Sequence, residues 1–181
     1  MRLPRLLAPL LLVAAVATAC GGSSSSSPGA SSGFEVRTVY ARYAPGVPFG
    51  PQLPQALVQE LSSQHCPMKP RIVQGYLMEC DTGQTVYLLN KPIVKGDIQS
   101  ATPRQIGRKN IWYVEVKLDS SVVHTISSQL SSMTGEQLAF SYNGSVLTSI
   151  AIDSSFHPGN FAITGNYNQA SATKLAHELS G

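Results

Sequence analysis

Residues 142–167 read "YNGSVLTSIAIDSSFHPGNFAITGNY", and the reading of this stretch decides the fold. Just upstream, Leu138, Phe140 and Tyr142 alternate with Gln137, Ala139 and Ser141. That period of two is the pattern of a half-buried strand. Asn143-Gly144 then supplies two residues that tolerate positive φ, as a type I′ hairpin turn requires. A second alternating run follows to Ile152, and "NFAITG" reads as a further short strand. Between them Asp153, Ser154, Ser155 and His157 crowd into five positions. These are the residue types of acyl transfer. Catalytic triads, however, converge from separate elements around an oxyanion hole. Asp, Ser, Pro and Gly are also what a connecting turn needs whatever its function. The stretch is therefore read as hairpin, loop and strand, with a serine hydrolase using Ser154 or Ser155 and His157 as the remote alternative.

Working outward, "FEVRTVYARY" (34–43) places Phe34, Val36, Thr38 and Tyr40 on one face of a strand. "LPQALVQELSSQH" carries Leu53, Ala56, Leu57 and Leu61 at helical spacing, with Pro54 suited to a first turn. Cys66-Pro67 closes that helix. "GYLMEC" and "QTVYLLN" form a hairpin across "DTG", and "DIQSATP" pairs with "NIWYVEVKLD" across the Gly107 turn. In the last of these, Trp112, Val114, Val116 and Leu118 face a core while Tyr113, Glu115 and Lys117 face water. "DSSVVHTISSQLSSMTG" predicts a helix capped by Asp119 or Ser120 and ended by Gly135. "NQASATKLAHELS" predicts a closing helix with Asn168 as its cap. The expected class is α+β: an antiparallel sheet with about three helices packed mainly on one face.

The chain carries no G-x-S-x-G, P-loop, G-x-G-x-x-G or H-E-x-x-H motif. His65, His124, His157 and His177 lack the spacing of metal ligands. No catalytic residue, metal or cofactor is expected. Net charge is +3. Removing Arg2 and Arg5 with a leader brings the basic residues to within one of the acidic ones. The short basic segment at 104–110 reads as a solvated hairpin end, and nucleic acid is excluded as a partner.

Arg2 and Arg5 precede an apolar run from Leu6 to Ala19, too short to be read as a spanning helix and typical of a signal peptide. It ends in Ala-Thr-Ala before Cys20, which resembles the lipobox of bacterial lipoproteins. The resemblance implies cleavage after residue 19, a lipid thioether on Cys20 and acylation, for example by palmitate, of the new amino terminus. Two or three acyl chains hold a protein on a membrane where one does not. An ordinary secreted protein with a stray cysteine is the competing reading. Residues 21–33 are Gly, Ser, Ala and Pro only, a coil spanning about 20 Å. The expected organisation is a signal peptide at 1–19, a lipidated cysteine and tether at 20–33, and a folded domain at 34–181. With Cys20 assigned to lipid, Cys66 and Cys80 remain, in a compartment that permits oxidation. A disulfide between them is favoured, worth about 3 kcal/mol in the chain-entropy model. Two free thiols or half a metal site are the alternatives.

"VYLLNKPIVKGDIQSATP", "WYVEVKLDSS", "YNGSVLTSIAID" and "NFAITGNYNQASATKLAHEL" together resemble the head subdomain of the first extracytoplasmic domain of SecD/SecDF protein-export membrane proteins. The segment "HCPMKPRIVQGYLMECDTGQTVYLL" is similar to the cysteine-paired entry of actinobacterial SecD heads. The resemblance covers roughly residues 60–180. Its structural motif positions here are Gly96, Asp97, Asn143, Gly144, Thr164, Gly165 and Asn166. The family has proline where Ile150 stands and an acidic residue where Ser171 stands. The resemblance implies a SecDF-head-like, non-enzymatic domain contacting exported polypeptides or Sec components from the extracytoplasmic face of the cell membrane. The proton-driven motor of SecD needs intramembrane charges and is not implied. An unrelated envelope partner or small ligand on the same fold is the alternative function.

Overall fold

The computed structural model describes residues 33–45, 47, 53–107 and 110–180. The leader, Cys20 and most of the tether lie outside the described residues. The elements are β1 (Phe34–Tyr43), α1 (Gln55–Ser62), β2 (Arg71–Val73), β3 (Tyr76–Asp81), β4 (Val86–Gly96), β5 (Ile98–Gln105), β6 (Trp112–Leu118), α2 (Ser120–Ser127), β7 (Gln137–Tyr142), β8 (Ser145–Ala151), β9 (Asn160–Tyr167) and α3 (Gln169–Ser180). The α+β class and, among the described residues, the three α-helices are as expected. The sheet is divided in two. Six strands run in the order β2-β3-β4-β1-β7-β8, and three in the order β5-β6-β9. All neighbours are antiparallel except β3 and β8, which pair in parallel through Cys80–Ser145 and Asp81–Val146. That contact closes β3, β4, β1, β7 and β8 into a small barrel, with β2 appended to the first half of β3. Three register shifts between β1 and β4 supply the bend.

Three apolar clusters follow from this arrangement. Phe34, Phe140 and Phe161 stack in the first, with ring centroids 6.3, 6.4 and 4.4 Å apart. They sit between the outer wall of the barrel, the inner face of the three-stranded sheet, α2 and α3. The second cluster holds Leu57 and Leu61 of α1 against Met78, Cys80, Val86 and Leu88. Burying each of those leucines stabilises the fold by about 1.5–3 kcal/mol. The third is the barrel interior: Leu77, Tyr87, Leu89, Ala139 and Val146. Alternate residues of β3 and β4 thus enter different cores, so both faces of these strands are buried.

Close approach explains two glycines. A Cβ on Gly96 would lie 2.5 Å from Val122 Cγ2, so α2 seats on β4 only without one. Gly144 would likewise meet Pro70 Cγ at 2.5 Å, and its φ of 78° follows the 48° of Asn143, as the hairpin turn demands. Both helix caps form. Asp119 accepts the Ser121 N–H at 2.8 Å. Asn168 Oδ1 accepts the Ser171 N–H at 2.9 Å while Ser171 Oγ accepts the Asn168 N–H at 3.0 Å. Ser171 thereby completes a reciprocal capping box in place of the usual acidic residue.

Several local expectations need correction. The helix expected to run to Gly135 stops at Ser127, and a single 3-10 turn spans Leu130–Ser132. The hydroxyls of Thr125, Ser128 and Ser132 each bond a carbonyl three or four residues back, which competes with helix continuation. Met133 still reaches the core. Pro54 is the N-cap of α1 rather than in its first turn, and α1 ends at Ser62, before Cys66-Pro67. In β1 both faces are enclosed at its start, where Glu35 and Arg37 are buried as well as Phe34 and Val36, while Tyr40, beyond the first bulges, is exposed and stacks on Tyr76.

Candidate functional site: a cleft between two strands

The loop after β8 is held by its own carboxylate. Ser155 donates its N–H and its hydroxyl to Asp153 Oδ1 at 2.8 and 2.6 Å. Those two bonds hold the Asp153 carboxyl below its ordinary range. His157 places Nδ1 2.7 Å from the Ser155 carbonyl oxygen, a backbone contact. The Ser155 hydroxyl is committed to Asp153 and the imidazole to the chain. This is the wiring of a turn, in which the carboxylate orders the backbone that the alternating strands leave behind.

A second carboxylate orders the turn between β3 and β4. Asp81 Oδ1 accepts the N–H groups of Gly83 and Thr85, each at 2.8 Å, and Tyr87 donates its hydroxyl to Asp81 Oδ2 at 3.1 Å. Burial pushes the Tyr87 phenol up, so it remains a donor. The same hydroxyl lies 3.4 Å from Ser149 Oγ on β8.

Between these two turns lies a cleft walled by β8 and β9. Its first half, about 450 Å³, is lined by Asp81, Tyr87, Thr148, Ser149, Thr164 and Asn166 among others. Its second half, about 480 Å³, is lined by Ile150, Ala151, Asp153, His157, Asn160 and Ala162 among others. The start of β8 faces the end of β9, and the end of β8 faces the start of β9. The two hollows therefore lie end to end along antiparallel strands. A larger hollow of about 730 Å³ lies beside Tyr40, Arg42, Val47 and Leu53.

A polar cluster inside the barrel escapes the sequence reading. Arg37 donates two bonds to Glu35 Oε2, at 2.8 and 2.6 Å, and a third to the Asn90 carbonyl at 2.7 Å. Lys95 Nζ lies 2.5 Å from Glu35 Oε1. Burial works to raise Glu35, but bonding and charge from Lys95 and Arg37 outweigh it and hold the carboxyl below its usual value. Glu79 is fully buried among the same residues, and neither of its carboxylate oxygens has an aligned hydrogen-bond partner among the described residues. Burial drives its carboxyl up; the Ser141 hydroxyl and the Arg37 charge oppose this, and Glu35 adds to it. The one available sequence signal was a charge inside the otherwise apolar run Leu77-Met78-Glu79-Cys80. In β1, Glu35 and Arg37 alternate with apolar residues and so read as a solvent face.

The remaining predicted positions fall in four places among the described residues. Cys66 and Cys80 are joined, with an S–S distance of 2.07 Å and Cα atoms 5.8 Å apart, bracing the entry loop against β3. Gly96 and Asp97 lie at the junction of β4 and β5, beside the start of α2, where the Asp97 carbonyl accepts the Asp119 N–H at 3.3 Å. Asn143 Oδ1 accepts the Gly33 N–H at 3.1 Å, tying the hairpin to the start of β1. Thr164, Gly165 and Asn166 line the cleft. Cys20 lies outside the described residues. Among the described residues, no group of three or more His, Cys, Asp or Glu could hold a metal ion, and no helix is long and apolar enough to cross a membrane.

Comparison with known proteins places these features. No curated protein matches the chain. Solved structures that align with it include two of SecDF. A crystal structure of SecDF in its super-membrane-facing form is 18% identical, with a TM-score of 0.48, covering 81% of this chain and 18% of that one. A structure of SecDF described as a membrane component that enhances protein export is also 18% identical, with a TM-score of 0.47, covering 81% of this chain and 61% of that one. This chain thus spans less than two thirds of either SecDF chain. The family described as SecDF, P1 head subdomain, matches residues 72–181. With well over half its length matched, from β2 through α3, the chain belongs to the SecDF P1 head subdomain family.

Proposed function

We propose that this protein is a membrane-anchored extracytoplasmic lipoprotein whose head domain binds polypeptide, without catalysis, in protein export or envelope biogenesis. The family match over residues 72–181 carries the reading. The P1 head of SecDF is an extracytoplasmic domain of an export component. In this chain, the lipobox-like Ala-Thr-Ala-Cys ending at Cys20 and the Gly/Ser-rich tether supply an attachment. Acyl chains on Cys20 would hold the domain at the bilayer, and a coil spanning about 20 Å would let it sweep the adjacent surface. An emerging polypeptide is extended and unpaired, so a domain that meets it needs accessible backbone-pairing and apolar surface rather than acid–base machinery. The Asp153–His157 loop supplies no such machinery in its present wiring.

Photo-crosslinking in intact cells tests the reading, comparing the native protein with Cys20→Ala. Capture of nascent secreted chains or Sec components by the native protein, reduced in Cys20→Ala, is the expected result. Capture of neither would refute the export role. Equal membrane retention of the two forms would refute the anchor.

A further inference from the structure

We infer that the cleft between β8 and β9 is a strand-addition site, in which an extended polypeptide segment pairs through its main chain with the open edge of β8. This deepens, and rests on, the polypeptide-binding reading above.

Three observations meet at this place. The first is an interrupted pairing. β3 accompanies β8 only through Ser145 and Val146, then turns away at Asp81. Among the described residues, β8 beyond that point, from Leu147 to Ala151, has a strand partner only on its β7 side, and β9 only on its β6 side. The cleft occupies the track that β3 leaves. Five residues of β8 edge give about 17 Å of pairing length.

The second observation concerns how edges are guarded. Exposed edge strands are normally blunted by charge, proline or shortness. β5, at the far side of its sheet, carries Pro103 and Arg104. β2 has three residues and begins with Arg71. β8 and β9, "SVLTSIA" and "NFAITGNY", contain no charged residue and no proline. The edges that meet at the cleft are the unguarded ones.

The third is the chemistry of the lining. Asp81 stands at one end and Asp153 at the other, and among the described residues no lysine or arginine lines either half. Leu147, Ile150 and Phe156 are partly buried apolar residues along or beside it. An occupant of alternating apolar and polar side chains with basic residues toward its ends fits this lining. Main-chain pairing supplies affinity without reading sequence, as strand addition does elsewhere.

The test uses the full chain and a fluorescent peptide of roughly ten residues, alternating Val and Thr with Lys at both ends. Methylating alternate backbone nitrogens removes donors without changing the side chains, and should weaken binding about tenfold or more if several hydrogen bonds are lost. Replacing the terminal Lys by Glu should also weaken it. A photo-crosslinker at Thr148 or Ala162 should capture the peptide, and one at the exposed Lys174 should not. Binding that is indifferent to N-methylation, or captured only away from the cleft, overturns the strand-addition site while leaving polypeptide binding intact. Failure to bind either this peptide or an unfolded secreted protein overturns both. A concentration-dependent dimer crosslinked through Thr148 would assign the edge to a second copy of this chain, and so overturn the proposal.

Discussion

Replacing Glu79 by Gln isolates a carboxylate that the barrel buries with no aligned partner among the described residues. The folded protein holds Glu79 above the ordinary carboxylate value of 4.5, chiefly because burial disfavours its charged form. The folded state therefore keeps a proton that the unfolded chain releases. Stability contributed by the neutral carboxyl is fully present below the unfolded value and is lost as pH rises through the folded one. Within that window the native protein loses about 1.4 kcal/mol per pH unit from this group. Gln has nearly the same shape and cannot ionise. The difference in unfolding free energy, Glu79→Gln minus native, should therefore grow in favour of the variant by up to about 1.4 kcal/mol per unit from pH 4.5 upward, and then level off. Asp119 and Asp153, whose carboxyls are held low, contribute stability that is lost toward acid, but they are common to both proteins, stand apart from Glu79 and cancel in the difference. The groups that face Glu79 are Glu35 and Arg37 of β1 and Ser141 of β7. Urea unfolding of the disulfide-intact proteins at a series of pH values reads the effect, and melting temperature should follow at about 2–4 °C per kcal/mol. Parallel stability–pH curves for the two proteins would refute the assignment of a neutral, buried Glu79.

Two further substitutions test the packing that positions the cleft. Arg37→Met removes the guanidinium from Glu35 and leaves a buried carboxylate supported by Lys95 alone, so it should cost about 3–5 kcal/mol in urea unfolding; a cost below 1 kcal/mol would mean that the ion pair behaves as a surface one. Gly96→Ala drives a methyl into Val122 and should cost about 1–3 kcal/mol, with Gly96→Ala/Val122→Ala recovering part of the loss, as a double-mutant cycle would show.

The element types were legible because each has a local cause. Asn143-Gly144 can take the two positive φ values of the turn, and the alternation on either side makes strands of what flanks it. Asp119 and Asn168 cap the helices that follow them. The family resemblance was legible from the same motifs, and it matches residues 72–181. Helix ends were less legible, because a serine hydroxyl can bond a nearby carbonyl or turn to water with little difference in local pattern.

What the sequence by itself determined was the set of strands, turns and caps, since period, φ tolerance and side-chain reach act over a few residues. What only the tertiary structure decided was which strands meet. The parallel contact of Cys80 and Asp81 with Ser145 and Val146 joins residues far apart in the chain, and no local pattern encodes it. That contact closes the barrel, so alternation in β1 and β3 carries Glu35, Arg37 and Glu79 inward rather than out to water. The same contact stops after two residues, and the edge of β8 beyond it forms one wall of the cleft. Period two states that a strand has two faces; only the closure of the sheet states which face, and which edge, is left open.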